Sequence, residues 1–224
     1  MTLAANPAGD PSSQRTHEPT PDRLDPRALD GSPEDVARRL LGALLVRDDD
    51  LGRRIARIVE TEAYAGPGDM ASHARFGRTP RTAVMFGPPG HAYVYLVYGM
   101  HHCLNVVCGP DGQASAALIR AVEPLVGVAR MRERRGASGG PDHRLGAGPA
   151  RACQALDIDR RLHGIDLLRD ERLWLAAPTD DQSFGIVSGT RIGVDYAGPE
   201  WAGRPWRFGI AGHPSLSRPF PSIS

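Results

Sequence analysis

The feature that most constrains the fold is a succession of short apolar segments in the middle of the chain, separated by turns rich in glycine and proline. Residues 55–64 alternate β-branched with polar side chains, which predicts a strand. Residues 91–107 predict two strands about a turn at Tyr98-Gly99-Met100, and residues 114–122 predict a further apolar strand. The turn at 98–100 is therefore the expected tip of a β-hairpin.

Helices are predicted on either side of these strands. Residues 32–35 (Ser-Pro-Glu-Asp) have the pattern of a helix start, with serine as the N-cap and proline at the first helical position. The expected core-facing stripe of this helix is Val36, Leu40, Leu41 and Leu44. Later segments predict helices at 123–135 and 150–156, a loop at 136–148, and short strands at 173–175, 191–194 and 206–210.

This distribution of strands and helices favours an α+β fold. We expect a single mixed domain with a central, mainly antiparallel curved sheet, flanking helices and a protruding β-hairpin. The 224 residues are enough for one sizeable core and short for two. Residues 1–28 are rich in Pro, Asp, Ser and Thr, which predicts a disordered tail and places the folded domain at 29–224.

The composition favours a protein of the cytoplasm. No segment approaches the roughly 18 consecutive apolar residues of a membrane helix, and the N-terminus lacks a secretory signal pattern. Cys103, Cys108 and Cys153 fit a reducing compartment better than a disulfide framework. Although His101 and His102 are nearby, the cysteine spacing differs from that of zinc sites. We therefore expect a monomer that does not span a membrane and binds no metal and no cofactor.

All 27 basic residues are arginine, and the chain has no lysine. Because a guanidinium cannot form a Schiff base, covalent imine chemistry through lysine is excluded. The net charge is only +1, but residues 51–151 contain 13 arginines and 7 acidic residues, whereas the rest of the chain contains 14 and 19. The middle of the chain is thus a candidate cationic face, although the charge pattern alone favours solvated arginines and ion pairs.

Two kinds of residue in this central part can carry chemistry. Glu62 ends the strand at 55–64, on the same face as Glu60. A carboxylate beside a pocket can act as a general base for water, typically worth about 10²–10⁴ in rate. Tyr93 and Tyr95 share one face of a later strand, and aromatic faces can hold an extruded base. Taken singly, a solvated glutamate and a tyrosine-rich core explain these residues as well.

Tyr98 precedes Gly99 at the predicted hairpin tip. A bulky side chain on an exposed turn contributes little to packing, whereas a wedge inserted into a base stack must project in this way. Tyr98 is therefore a candidate for intercalation into nucleic acid.

In their order along the chain, these motifs resemble the alkyladenine (3-methyladenine) DNA glycosylase family. The first block is Ile58-Val59-Glu60-Thr61-Glu62-Ala63-Tyr64, followed by Gly66-Pro67, Asp69 and Ala71-Ser72-His73-Ala74. Further matching blocks are Arg78-Thr79-Pro80-Arg81, Tyr93-Val94-Tyr95, Tyr98-Gly99-Met100, Asn105, residues 118–125, Gly148-Pro149, residues 153–156, residues 191–194 and residues 205–208. The resemblance extends from about residue 35 to the end of the chain.

The resemblance implies a monofunctional DNA glycosylase of base excision repair. Such an enzyme flips alkylated or deaminated purines (3-methyladenine, 7-methylguanine, hypoxanthine, ethenoadenine) out of duplex DNA. It then hydrolyses the N-glycosidic bond with an activated water. The implied partner is double-stranded DNA containing damaged purines, and the implied location is the cytoplasm, in association with the nucleoid.

The same resemblance implies roles for individual residues. Glu62 would be the general base, and Arg120 would help to hold the nucleophilic water. The base-binding pocket would comprise Tyr64, His73 and Tyr95, with Asn105 at its wall, where it would exclude the exocyclic amino group of guanine. Tyr98 would fill the gap that the flipped base leaves in the duplex.

The chain departs from the family pattern in two places. Family positions often occupied by lysine carry arginine here, including Arg151, and the loop at 136–148 aligns poorly. Two other functions remain open from the sequence. One is a damage-recognition or RNA-binding module without chemistry. The other is a hydrolase of free nucleosides, which would not need Tyr98 or the arginines at 75, 78 and 81.

Overall fold

The computed structural model describes residues 20–179 and 183–221. Within them the chain forms eight strands: β1 (Leu44–Arg47), β2 (Arg54–Tyr64), β3 (Ala92–Val97), β4 (His101–Val107), β5 (Ala116–Val126), β6 (Leu173–Ala176), β7 (Ile186–Gly189) and β8 (Arg207–Ile210). The α-helices of the same residues are α1 (Pro33–Arg39), α2 (Val128–Arg134), α3 (Pro149–Ala155) and α4 (Gly198–Ala202).

All eight strands belong to one antiparallel sheet with β2 at its centre. Strand β5 pairs with one edge of β2 along its whole length. On the other edge, β1 covers the first half and β8 covers residues 60–62. The β3–β4 hairpin extends the sheet beyond β5, β6 extends it beyond β1, and β7 pairs with β8. The prediction of an α+β domain with a mainly antiparallel sheet is confirmed.

Helix α1 packs against one face of β2, so the two faces of that strand can be told apart by their contact with the helix. The Thr61 hydroxyl donates a hydrogen bond to the carbonyl of Ala37 in α1, at 2.7 Å. Since side chains alternate along a strand, Glu60 and Glu62 lie on the opposite face. The main hydrophobic core fills the helix side of the sheet, so the two acids are separated from it by the strand itself.

The N-terminal helix begins as predicted, because the Ser32 hydroxyl accepts a hydrogen bond from the backbone N–H of Asp35. The helix ends at Arg39, however, and Leu44 is not part of its apolar stripe. Leu44 opens β1, where it lies between Arg57 of β2 and Ala176 of β6. Burial in the middle of the sheet overrides the helical spacing that placed Leu44 on the helix.

The helix predicted at 123–135 begins five residues late. Glu123 and Pro124 continue β5, opposite Arg57 and Ala56 of β2, so the local helix-start pattern yields to cross-strand pairing. Gly127 then turns the chain with a φ of 72°, and a Cβ there would lie 2.6 Å from the carbonyl oxygen of Arg53. Only glycine fits this close approach, and α2 starts directly after it.

The strand predicted at 191–194 is also wrong. The strand of this region is β7 at Ile186–Gly189, and residues 191–194 form a loop instead. The loop is held by the buried side chain of Arg191, which pairs with Asp69, and Gly193 adopts a φ of 76°. The apolar side chains of 192 and 194 therefore face a pocket and a satellite cluster rather than a neighbouring strand.

The predicted tail at 1–28 falls largely outside the described residues, which begin at 20. The part of the tail inside them packs on the sheet, contrary to the prediction. Leu24 is buried, and its N–H donates to the carbonyl of Leu175 in β6. A short 3-10 turn at Pro26–Leu29 follows, capped by the Asp25 carboxylate. Contacts with the sheet therefore begin before residue 29, at Leu24.

Candidate active site

A pocket of about 350 Å³ opens on the face of the sheet opposite α1. Its walls come from the ends of β2 and β5, from the β3–β4 hairpin, and from the loops at 71–73 and 192–196. The volume is at the lower end of the range for small-molecule sites in proteins. Six of the seven residues predicted from the sequence line it: Tyr64, His73, Tyr95, Tyr98, Asn105 and Arg120.

The seventh residue, Glu62, lies fully buried behind the pocket wall. The Tyr64 hydroxyl donates to its Oε2 at 2.8 Å, and the backbone N–H of Ile192 donates to its Oε1 at 2.7 Å. The Arg120 Nη1 lies 3.2 Å from the same Oε1. All three donors belong to residues that line the pocket, so the carboxylate lies directly behind them.

The environment of Glu62 changes its proton affinity. Burial raises the pKa of its carboxyl group, and the opposing effects of Arg120, the Ile192 N–H and the Tyr64 hydroxyl do not cancel that rise. Burial also lowers the pKa of Arg120, but the carboxylates of Glu62 and Glu60 outweigh it and raise that pKa. Arg120 therefore remains a cation, and Glu62 binds a proton more readily than an exposed glutamate does.

Three aromatic side chains, those of His73, Tyr93 and Tyr95, pack against one another along one wall of the pocket. The His73 Nδ1 lies 2.9 Å from the Tyr93 hydroxyl, and the rings of His73 and Tyr95 are 4.5 Å apart in a T-shaped arrangement. Burial, together with the charges of Arg81 and Arg75, lowers the pKa of His73 to about 4. The imidazole is therefore neutral at pH 7.

Tyr64 stands apart from that cluster, near the loop at 191–194. The Arg191 guanidinium lies 4.9 Å from the centre of its ring. Arg191 also forms a fully buried, two-bond ion pair with Asp69, with N–O distances of 2.7 and 2.9 Å. The pair ties the loop that carries the Ile192 N–H to the loop that follows β2. Both residues of this pair lie in sequence blocks that match the family, but the sequence alone predicts no role for either of them.

Asn105 lies on β4 with its side chain at the pocket wall and is buried. Its Nδ2 donates to the carbonyl oxygen of Tyr93 on the neighbouring strand, at 3.2 Å. This hydrogen bond fixes both the position and the rotation of the amide. The side chain therefore presents a rigid polar group to whatever occupies the pocket.

Tyr98 occupies the tip of the β3–β4 hairpin, as predicted. Its side chain is 89% exposed, and its φ of 50° is unusual for a residue other than glycine. Leu96 and Met100, on either side of it, are also exposed. The hairpin thus holds an apolar tip away from the core, next to the pocket mouth that Tyr98 helps to line.

The loop at 75–81 carries three arginines, of which Arg75 and Arg81 lie close to aromatic rings that line the pocket. Arg75 lies 4.8 Å from the ring of Phe76 and 5.8 Å from that of Tyr196, and both rings are largely exposed. Arg81 contacts His73 and the face of Tyr95. Among the residues that the structure describes, neither of these arginines nor Arg78 forms an ion pair with a carboxylate.

Other candidate sites are weaker. Cys103, Cys108 and Cys153 are buried free thiols, and burial raises the pKa of each. Over residues 20–179 and 183–221, no group of three or more His, Cys, Asp or Glu side chains is arranged to hold a metal ion. In the same ranges, no helix has the length and apolar character required to cross a bilayer.

Comparison with known proteins points to one family. The model of the family described as methylpurine-DNA glycosylase matches residues 27–214. A protein of Anaeromyxobacter dehalogenans strain 2CP-C, named as a candidate 3-methyladenine DNA glycosylase, is 52% identical over 83% of this chain and 82% of its own length. Similar proteins with the same name occur in Methanocella arvoryzae, at 47% identity over 84% and 92% of the two chains, and in Streptomyces avermitilis, at 48% over 82% and 85%.

Proposed function

The chain belongs to the methylpurine-DNA glycosylase family and is therefore an N-glycosyl hydrolase of DNA, and we propose that it removes damaged purines from duplex DNA by direct hydrolysis. The proposed substrates are 3-methyladenine, 7-methylguanine, hypoxanthine and ethenoadenine. The observation that carries this proposal is the buried pair of Glu62 and Arg120 behind an aromatic pocket.

The proposed reaction uses a water molecule bound between Glu62 and Arg120. A carboxylate accepts up to about four hydrogen bonds, and three donors already reach Glu62, which leaves Oε2 capable of accepting one more. Glu62 takes a proton from the water while the water oxygen forms a bond to C1′ of the deoxyribose. The bond from C1′ to the purine nitrogen breaks at the same carbon, and its electron pair leaves with the base.

Electrostatics favours the transition state of this reaction. Positive charge develops on the sugar as the base departs, and a nearby carboxylate stabilises it. An N3- or N7-alkylated purine carries a positive charge before it leaves and departs as a neutral base. The raised pKa of Glu62 also suits a general base, because a stronger base takes the proton from water more readily.

The aromatic walls suit a flipped purine. In the proposal, Tyr64 lies on one side of the base and His73 and Tyr95 on the other, and stacking contributes roughly 1–3 kcal/mol per base. Because His73 is neutral at pH 7, it adds no positive charge that would repel a cationic purine. Aromatic faces attract such cations, whereas a protonated histidine would oppose them.

Asn105 is proposed to discriminate between damaged and undamaged purines. Its amide is held by the carbonyl of Tyr93, so it cannot rotate away without loss of a buried hydrogen bond. The exocyclic amino group of guanine would collide with this fixed side chain. 7-Methylguanine has the same group, and in this proposal it is released because its positive charge makes it a better leaving group than guanine. Hypoxanthine lacks that group and fits. Asn105 would therefore select against undamaged guanine.

The surface around the pocket is proposed to bind the duplex. Tyr98 would enter the base stack where the damaged purine has left it, in the manner of other apolar wedges. Arg75, Arg78 and Arg81 would contact backbone phosphates, which carry most of the salt-dependent affinity of DNA-binding proteins. We propose that the protein acts as a monomer in the cytoplasm, in association with the nucleoid.

A panel of duplexes tests this function. Each duplex carries one lesion (3-methyladenine, 7-methylguanine, hypoxanthine or ethenoadenine), and free base and strand cleavage are measured separately. We expect release of base without strand cleavage, because the chain has no lysine to form an imine with the sugar. Tight binding without release would indicate a damage-recognition module. Release from free nucleosides that undamaged duplex does not inhibit would indicate a nucleoside hydrolase.

A further inference from the structure

A second carboxylate, that of Glu60, lies beside the proposed catalytic pair but outside the pocket. Glu60 is fully buried and shares the face of β2 that carries Glu62. A buried carboxylate costs free energy unless its oxygens receive strong donors. The proposed reaction needs only one base, so the free-energy cost of burying this second carboxylate must be offset by another role.

Four donors satisfy the Glu60 carboxylate. Arg120 donates to Oε1 through Nε at 3.1 Å, and Arg207 donates to the same oxygen at 3.3 Å. The backbone N–H of Ser217 donates to Oε2 at 2.6 Å, and the Ser217 hydroxyl donates to Oε1 at 2.7 Å. Arg207 and Ser217 follow Glu60 by 147 and 157 positions in the sequence. Glu60 thus anchors the C-terminal segment beneath the pocket.

The same contacts determine the orientation of Arg120. A guanidinium is a rigid planar group, so fixing two of its nitrogens fixes the third. Its Nε is bonded to Glu60, its Nη1 lies 3.2 Å from Glu62, and its Nη2 donates to the Ser217 hydroxyl at 3.3 Å. Without Glu60, only the contact with Glu62 and the weaker contact with Ser217 would hold the plane.

We propose that Glu60 is a positioning residue, which orients Arg120 toward Glu62 and shares its positive charge. This inference rests on the proposed glycosylase function of the pocket. Glu60 touches neither base nor sugar in this account, and it acts only through Arg120. Ser217 supports it from the C-terminal segment by holding both its oxygens.

The charged and titratable groups around the two acids give the proposal a pH signature. Glu62 is faced by Arg120 of β5, by Glu60 and Tyr64 of β2, by Tyr95 and Cys103 of the hairpin strands, and by Tyr196 of the loop after β7. Glu60 is faced by Arg120 and by Arg207 of β8. Burial raises the pKa of Glu62, Arg120 lowers it, and Glu60 raises it further. Neutralising Glu60 removes its own effect and also releases Arg120, so it should change the pKa of Glu62.

The test compares Glu60→Gln with wild type and with Asp49→Asn as a matched control. Asp49 also pairs with two buried arginines, Arg47 and Arg54, but it has no contact with the site. Single-turnover release of hypoxanthine from a duplex is followed from pH 4 to 9. We expect Glu60→Gln to be about 10–100-fold slower, the cost of a small misplacement of a catalytic group. Its acid limb should also move away from the wild-type position, because both Glu60 and the Arg120 that it holds affect the pKa of Glu62.

Asp49→Asn should lose thermal stability while its rate and acid limb stay at wild-type values. A Glu60→Gln rate and acid limb that match those of Asp49→Asn would overturn the proposal. If Glu60→Gln does not fold, Ser217→Ala carries the test, because Ser217 lies at the half-exposed edge of the network. It should be a few-fold slower than wild type, and an unchanged rate would again overturn the proposal.

One readout separates this inference from the function on which it rests. In ¹⁵N NMR spectra, the Arg120 Nε–H should be protected from exchange in wild type and in Asp49→Asn, and it should exchange rapidly in Glu60→Gln. That contrast requires no base release. Failure of wild type to release any lesion would refute the glycosylase proposal, whereas equal protection in all three proteins would refute the role of Glu60.

Discussion

The buried ion pair of Asp69 and Arg191 offers a stability prediction that bears on the site. Both side chains have no exposed surface, and two N–O contacts of 2.7 and 2.9 Å join them. The Asp69 carboxylate also accepts the backbone N–H groups of Ala65 and Ala71, at 3.0 Å each. The change Asp69→Asn leaves a buried guanidinium without its counter-charge and replaces one acceptor oxygen with a donor.

Removal of one partner from a buried ion pair costs about 3–5 kcal/mol. For a domain of this size, 1 kcal/mol corresponds to a change of about 2–4 °C in Tm, so Asp69→Asn should lower Tm by roughly 10 °C. The same change should slow base release, since Arg191 holds the loop from which the Ile192 N–H reaches Glu62. Thermal denaturation followed by circular dichroism, with single-turnover release at 20 °C, measures both effects.

Two controls define the result that would refute this reasoning. Glu200→Gln removes a surface contact to Arg204 that is largely solvated and should change stability by less than about 0.5 kcal/mol. The double change of Asp69→Leu with Arg191→Met removes both charges and should be less destabilising than Asp69→Asn alone. A loss for Asp69→Asn no larger than that for Glu200→Gln would show that the pair does not hold the loop.

Three further predictions concern the pocket and the hairpin. Tyr98→Ser should weaken binding to damaged duplex far more than to single strands, and equal losses in a fluorescence anisotropy titration would rule out a wedge. Asn105→Ala should increase guanine release from undamaged duplex while hypoxanthine release changes little; unchanged guanine release would remove its proposed role. The pH profile of kcat/KM should have an acid limb above 4.5, the ordinary value for glutamate, because burial raises the pKa of Glu62 and its proton blocks the base. Since the pKa of His73 is about 4, a limb near 6.5 that His73→Gln abolishes would contradict this assignment.

Much of the architecture follows from local sequence patterns. Alternating side chains placed β2, the β3–β4 hairpin and its tip at Tyr98, and the capping pattern placed the start of α1 at Ser32. The failures occur where tertiary pairing overrides a local signal. Glu123 and Pro124 resemble a helix start, yet they pair with β2 and continue a strand. A short stretch of sequence gives no indication of such pairing, because the partner strand lies far away in the chain.

The candidate site shows the same limit. Glu62, Arg120 and the aromatic residues act through their side chains. The resemblance to the family therefore predicts their roles from residue type and position. The Ile192 N–H that donates to Glu62 is a backbone group, so the identity of residue 192 does not indicate this contact. The contacts of Glu60 with Ser217 join residues that are 157 positions apart, and only the folded sheet with its C-terminal segment brings them together.

The most direct test of the central claim is single-turnover release of hypoxanthine by Glu62→Gln, with binding of the same duplex measured in parallel. Glutamine keeps the shape of the side chain but cannot accept the proton of water at neutral pH. We predict that base release falls to background while the variant still folds and its affinity for lesion DNA remains close to wild type. Release at the wild-type rate by the folded variant would show that Glu62 is not the general base.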